Sequence, residues 1–295
     1  MTCSDAVRVA VPATSANLGV GYDCLGMALD LTASFAFRPS DELLIDGCEM
    51  RFRGADNLVW TSMLETFSTL GVVPVTSHIT IDSPIPLSGG LGSSATCVVA
   101  GVIAAIELAG RSYDRDLALD VATGIEGHPD NVAPAILGGL VNSFVKDGRC
   151  VSTAFSVDPT LRLVAVAPPY EVRTDDARRV IPAEVPVPTA VWQMGRAVAS
   201  VHAFVTGDMA LLSAACDDRL HEPYRKPLIP DYDALRQASV AAGASAFFIS
   251  GSGSTCIAAC ASEQVAASVE EAIHEVRPTF WTHVCAADPQ GAHLV

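Results

Sequence analysis

The stretch S-G-G-L-G-S-S-A, residues 88–95, sets Gly89, Gly90 and Gly92 directly ahead of two serines and a run of small apolar side chains. Glycine lets a backbone turn sharply and approach a ligand closely. The N–H groups at the start of the following helix then face outward with the positive end of the helix dipole, and a phosphate is their natural occupant. The same residues also fit a plain turn before a core helix, with Ser93 or Ser94 as its cap. Residues 84–110 contain no Lys or Arg, so an anion bound here would be held by main-chain groups. Other motifs of this kind are missing. There is no G-x-x-x-x-G-K-[ST], no Lys before Lys146, no G-x-G-x-x-G after a strand, no G-x-S-x-G and no H-E-x-x-H. Those absences set aside the P-loop, dinucleotide-fold, serine-hydrolase and zinc-peptidase readings.

Periodicity and turn residues give the elements that must position this loop. A strand over 7–11 is stopped by Pro12, and Gly19 and Gly21 mark a turn after it. Strands at 33–37 and 43–46 flank a P-S-D-E turn. A helix starts near Asp56 or Asn57 and runs to Leu70, with Gly71 just past its end. A strand at 78–82 leads into the Gly-rich loop, and 93–109 is a long buried helix closed by Gly110. Y-D-R-D-L-A-L-D-V-A-T-G is a further helix. In the second half a strand at 161–168 and a Pro-rich stretch precede helices at 191–205 and 209–215. A helix at 231–244, strands A-F-F-I-S and T-C-I-A-A-C around S-G-S-G-S, an amphipathic helix at 262–276 and a strand F-W-T-H-V-C-A-A complete the chain. Strands are often joined by hairpins as well as by helices, which predicts an α+β fold rather than a doubly wound parallel sheet. A soft division near residue 150 separates 1–150 from 151–295. No internal repeat or low-complexity segment interrupts the pattern.

Half of the 295 residues are apolar and 17% are charged, enough for a sizeable core. The net charge is −15 because bases are scarce; Lys occurs only at Lys146 and Lys226. Such a surface repels nucleic acid and anionic membrane, and neither is expected as a partner. Nine cysteines at irregular spacings, with no C-x-x-C pair, read as free thiols in a reducing cytoplasm. The N-terminus has no basic and then apolar leader, and the longest apolar run, 97–106, ends at Glu107, too short to span a bilayer.

Residues 86–95 fit P-x-x-x-G-L-G-S-S-A, the second motif of the GHMP kinase superfamily, with its spacing unbroken. V-P-A-T-S-A-N-L-G-V-G-Y-D-C-L-G-M-A-L, residues 11–29, resembles the first motif, and I-S-G-S-G-S-T-C-I-A, 249–258, resembles the third. E-G-H-P-D-N-V-A-P-A-I-L-G-G-L-V, 126–141, and H-E-P-Y-R-K-P-L-I-P, 221–230, look like the homoserine kinase branch of that superfamily. The resemblance implies a two-domain α+β fold, with an N-terminal domain of the ribosomal protein S5 domain 2-like type and a C-terminal ferredoxin-like α/β-plait domain. It implies ATP-dependent phosphorylation of the hydroxyl of L-homoserine, a step towards threonine, with Mg²⁺. Under it Pro86, Leu87, Ser88, Gly89, Gly90, Leu91, Gly92, Ser93, Ser94, Ala95 and Thr96 cradle the nucleotide, and Gly251, Ser252 and Gly253 line the site and steady that loop. Ser94 and Glu126 fall on the metal. Asn17, Asp23, Asp130, Asn131, Arg178 and Arg225 form the substrate shell. Arg offers planar paired donors matched to a carboxylate. Asp130 orients the acceptor first and acts as base second. His128 is either a hydrogen-bond donor there or a packed histidine, and Thr174 is a lesser candidate near the phosphate. The resemblance also admits a homodimer.

Overall fold

The computed structural model describes residues 6–87 and 89–295. The first strand, β1 (Val7–Ala16), runs straight through Pro12, and its pairing with β2 (Leu25–Pro39) shifts register between Pro12 and Ala13. A proline without an N–H is tolerated at such an irregularity, so it does not end the strand. β3 (Leu44–Asp46) does not form a hairpin with β2; it lies parallel to β4 (Ser77–Asp82), which pairs with the far half of β2. Between them, α1 (Leu58–Leu70) is capped by the Asn57 side chain and closed by a left-handed Gly71. Then follow α2 (Ser93–Leu108), α3 (Arg115–Glu126) and α4 (Pro129–Leu137), and the hairpin of β5 (Leu140–Lys146) and β6 (Arg149–Phe155). β5 pairs with the near end of β2.

The second half contains β7 (Arg162–Ala167), α5 (Thr174–Arg179), α6 (Val187–Thr206), α7 (Met209–Ala215), α8 (Glu222–Arg225) and α9 (Tyr232–Ala241). These are followed by β8 (Ala246–Ile249), β9 (Cys256–Cys260), α10 (Glu263–Val276), β10 (Trp281–Cys285) and β11 (His293–Leu294). Its four strands form an antiparallel sheet in the order β10-β7-β9-β8. That is the strand order and element succession of a ferredoxin-like unit. β11 crosses back and pairs with β1, so the first sheet is finished by residues from the other end of the sequence.

Alternation explains how the two sheets share an interior. Leu163, Ala165, Phe248, Ile257 and Ala259 point into the same core as β1, β2 and α2. Their neighbours Val164, Val166, Phe247, Ile249 and Ala258 point the other way, into a second core under α9 and α10. A sheet buried on both faces needs continuous apolar strands, which is what A-F-F-I and C-I-A-A-C supply. α2 is apolar nearly all round and buried along most of its length, as suits a helix packed on several sides.

Candidate active site

A cleft of about 200 Å³ opens where the connections of both halves meet. Three segments that the sequence singled out converge there: the 17–24 turn between β1 and β2, the Gly-rich loop before α2, and the 250–254 turn between β8 and β9. They are tied by main-chain bonds. Gly251 N–H donates to Ala16 C=O at 3.1 Å, and Thr255 N–H donates to Gly89 C=O at 2.9 Å. The Ser250 hydroxyl donates to Gly90 C=O at 2.6 Å and accepts from the Ser15 hydroxyl at 2.8 Å.

The cap of α2 is Gly92, in the left-handed region at φ 69°, and no side chain caps the helix. The first N–H groups of α2 are therefore left for a ligand in the cleft, which Ser93, Ser94 and Ala95 line. A Cβ at Gly92 would lie 2.0 Å from Thr14 Oγ1, and one at Gly90 would lie 2.2 Å from Ser250 C=O. Glycine is required at both positions by conformation and by close backbone approach. Leu91 is core, Gly89 packs on Thr255, and Gly253 packs on Ile229 and Ile249. Ser88 lies outside the described residues. Pro86 borders neither cavity. A second, mostly apolar cavity of about 510 Å³ adjoins the loop on the other side and is lined by Phe35, Phe52, Leu58, Leu87, Ser93, Ser94 and Thr96 among others. An apolar slot abutting an anion cradle has the layout a nucleoside phosphate requires.

Ser94 donates to both Glu126 oxygens at 3.2 and 3.3 Å. Glu126 ends α3, and burial raises its pKa above the usual carboxylate value against the pull of His128 and the Ser94 hydroxyl. A desolvated carboxylate beside a hydroxyl, opening on the uncapped start of α2, is a pair of hard oxygens suited to Mg²⁺. No three His, Cys, Asp or Glu side chains converge as a metal cluster among the described residues. Magnesium commonly takes one or two protein ligands and fills its shell with phosphates and water, so the donor set fits.

α4 begins with His128 as its cap and Pro129 in its first turn, which puts Asp130 and Asn131 at the positive end of the helix. His128 Nδ1 bonds to the buried Asp130 carboxylate, and that bond raises the imidazole pKa despite burial. Asn131 Oδ1 accepts from Thr14 Oγ1 at 2.8 Å.

Asn17, Leu18 and Asp23 have φ of 69°, 45° and 54°. Three non-glycine residues in that region within one turn store strain, held by packing and hydrogen bonds. Asn17 is the main holder: its Oδ1 accepts from Asp23 N–H at 3.0 Å, and its Nδ2 donates to Gly251 C=O at 2.8 Å. Both ends of this side chain are spent on positioning, which its assignment to the substrate shell did not anticipate. Asp23 meets Arg178 in a two-bonded pair, at 3.2 and 3.3 Å.

Arg225 differs from Arg178. It is 3% exposed and donates to Gly251 C=O at 2.8 Å and to Ala177 C=O at 3.2 Å. Burial pulls its pKa below the ordinary guanidinium value, and no carboxylate pairs with it among the described residues. A buried cation without a counter-charge is costly unless a ligand supplies one. All six substrate-shell residues line the cleft, and so does Thr174. Sequence reasoning missed Glu171, Val172 and Arg173, which border the cleft ahead of α5; their segment carries no motif.

Fold and site together define a class. Residues 57–139 match the family described as the GHMP kinases N terminal domain, and residues 200–278 match the GHMP kinases C terminal. The chain belongs to the GHMP kinases, an ATP-using family, and within them groups with the homoserine kinases. It is 37% identical over 250 residues to a homoserine kinase of Clostridium botulinum, covering 84% of each chain. It is also 37% identical over 254 residues to one from Clostridium beijerinckii, covering 85% of each. Among solved structures, a homoserine kinase from Cytophaga hutchinsonii superposes with a TM-score of 0.89 at 31% identity, covering 100% of this chain and 99% of that one.

Proposed function

We propose that this chain transfers the γ-phosphoryl group of ATP to the hydroxyl of L-homoserine, giving O-phospho-L-homoserine on the route to threonine. The buried Arg225, facing a cleft that also holds an uncapped helix start, is the observation that carries the reading. One end of the cleft asks for a phosphate and the other for a small carboxylate. The adjacent Asp23 and Arg178 offer opposite charges side by side, the pattern an amino-acid zwitterion would meet. Mevalonate, the substrate of more distant kinases of this fold, has no ammonium for Asp23 or Asp130.

Phosphoryl transfer through a loose transition state depends mostly on positioning and on stabilising charge. The α2 amides would hold the β- and γ-phosphates, with the adenosine in the apolar slot. Ser94 and Glu126 are the residues that would hold Mg²⁺, which when bound neutralises charge on the phosphates. Asp130, fixed by His128, orients the acceptor hydroxyl first and takes its proton second, with proton loss late in the reaction. The free thiols of the eight described cysteines support a reducing cytoplasm as the compartment. No helix among the described residues is long and apolar enough to cross a membrane.

The test is ADP release with homoserine, mevalonate and shikimate side by side. Turnover with homoserine alone is expected. Glu126→Gln should lower that turnover by about 100-fold or more while homoserine affinity changes by less than about threefold. Activity confined to a non-amino-acid alcohol would reject the substrate. Binding without turnover on any alcohol would make the chain a ligand-binding relative.

A further inference from the structure

Three arginines border the cleft, and two of them are already engaged. Arg178 is paired with Asp23, and Arg225 is buried against the carbonyls of Gly251 and Ala177. Arg173 differs from both. It is exposed, and its side chain makes no hydrogen bond or ion pair among the described residues. The acids nearest to it in the chain are turned elsewhere. Glu171 faces Arg51 at 4.0 Å, and Asp176 pairs with Arg179 at 2.8 Å.

The main chain that carries this free guanidinium is held on both sides. Val172 is buried in the second core, and Tyr170 C=O accepts from the Ser254 hydroxyl at 2.6 Å. The Tyr170 hydroxyl donates to Asp231 at 3.0 Å. After it, Arg173 C=O accepts from Ala177 N–H at 3.0 Å as α5 begins. Arg173 is thus anchored through its backbone to the 250–254 turn, and only its side chain is left to act, on a wall shared with Ser94 and Glu126. Charge gives that side chain its task. Residues 84–110 hold no Lys or Arg, so the start of α2 offers a phosphate neutral amides alone. Asp23, Glu126, Asp130 and Glu171 set four carboxylates around the same cleft. Phosphoryl transfer shifts negative charge from the γ-oxygens onto the oxygen that bridges to the β-phosphorus. A planar guanidinium with no partner of its own is suited to follow that shift.

We propose that Arg173 is a catalytic residue of the phosphoryl transfer, a guanidinium supplied from the loop ahead of α5 that donates to the γ-phosphate oxygens and to the bridging oxygen as its bond breaks. The role rests on the transfer proposed above and adds a residue to it. The acceptor oxygen forms a bond to the γ-phosphorus, and the bond to the bridging oxygen breaks with its electron pair leaving on ADP. The acceptor proton passes to Asp130. Arg173 neither gains nor loses a proton; it neutralises charge on the departing oxygen, more in the transition state than before it.

Two measurements on the whole chain test this. In steady-state kinetics Arg173→Ala should lower kcat by about 100-fold or more, with KM for ATP and for homoserine each within about threefold of the wild type. Arg173→Lys, which keeps the charge, should recover about tenfold of that loss. Calorimetric titration with ADP, alone and with aluminium fluoride as a mimic of the phosphoryl group in transit, needs no acceptor. The wild type should bind ADP more tightly when the fluoride is present, and Arg173→Ala should lose about 30-fold or more of that gain while binding ADP alone unchanged. Arg179→Ala, exposed and outside the cleft lining, should match the wild type in both measurements. Melting curves of Arg173→Ala should overlay the wild type, since the side chain makes no contact that the fold uses. A raised KM for homoserine at unchanged kcat would give Arg173 to the substrate carboxylate, and a raised KM for ATP at unchanged kcat would give it to the nucleotide before transfer. Either result would overturn the proposal, as would an undiminished gain from fluoride. A wild type inactive on homoserine would count against that acceptor alone, because the fluoride titrations still decide the role of Arg173.

Discussion

Arg225 and Arg178 look alike in the sequence, each a single arginine in a matched segment, yet burial sets them apart. Arg178 is half exposed and already paired with Asp23. Arg225 is buried against two carbonyls and the Tyr22 ring, 5.1 Å away, with no anion of its own. Losing a desolvated donor to a substrate carboxylate costs more than losing a screened one. Arg225→Ala is therefore expected to raise KM for homoserine by about 100-fold, and Arg178→Ala by about tenfold. Arg225→Lys should recover little, since a lysine lacks the planar paired donors. Steady-state kinetics over a range of homoserine concentrations reads all three, and equal effects at both arginines would contradict the distinction. His128 is the residue that sequence left undecided. Its bond to Asp130 makes it the group that fixes that buried carboxylate, a contact that two residues of spacing alone do not reveal.

Among the elements, those with strong local signals were legible. Asn57 and Gly71 bracket α1 as their types require, and the glycines and small residues of 89–108 describe the loop and helix observed. Two features were not legible because distant contacts decide them. Pro12 is a strand breaker locally, but β1 is gripped on both sides by β2 and β11. β3 sits beside β2 in sequence and pairs instead with β4. The β5–β6 hairpin, turning at Asp147-Gly148, had a readable signal in that dipeptide. The Gly92 position gives the element-scale prediction. Gly92→Ala adds a left-handed penalty of about 1 kcal/mol and a clash with Thr14, so the melting midpoint should fall by several degrees. KM for ATP should rise with it, because the amides that follow are turned away from the cleft. A variant with unaltered ATP kinetics would show that the α2 start does not hold the phosphates.

At the scale of the molecule, Glu222 links three elements. It is half-buried with its carboxyl turned inward, where it accepts from Ile249 N–H of β8 at 2.6 Å and from the Tyr232 hydroxyl of α9 at 3.4 Å. Desolvation raises its pKa to about 8 from an ordinary 4.5. The folded chain thus keeps a proton that the unfolded chain releases. Its contribution to stability is fully present below pH 4.5, declines as pH rises above it, and is lost as pH passes about 8. Thermal melting between pH 5 and pH 9 should show the wild type losing stability, while Glu222→Gln, which keeps a neutral acceptor for Ile249, loses less. Parallel curves for the two proteins would assign the proton elsewhere. The double-sided burial of the second sheet was readable from its unbroken apolar strands, whereas its fusion with the first core was not, since no local pattern specifies which sheet a strand will face.

The return of β11 to β1 bears on how the chain comes to be folded. Val9 has its ladder partner at Leu294, so the edge of the sheet that carries the 17–24 turn stays unpaired until residues far along the chain have arrived. Contacts of such long sequence separation slow the search for the native state and leave a sticky margin exposed in the meantime. An N-terminal half expressed without residues 293–294 would present the outer edge of β1 unpaired, a margin open to pairing with other chains.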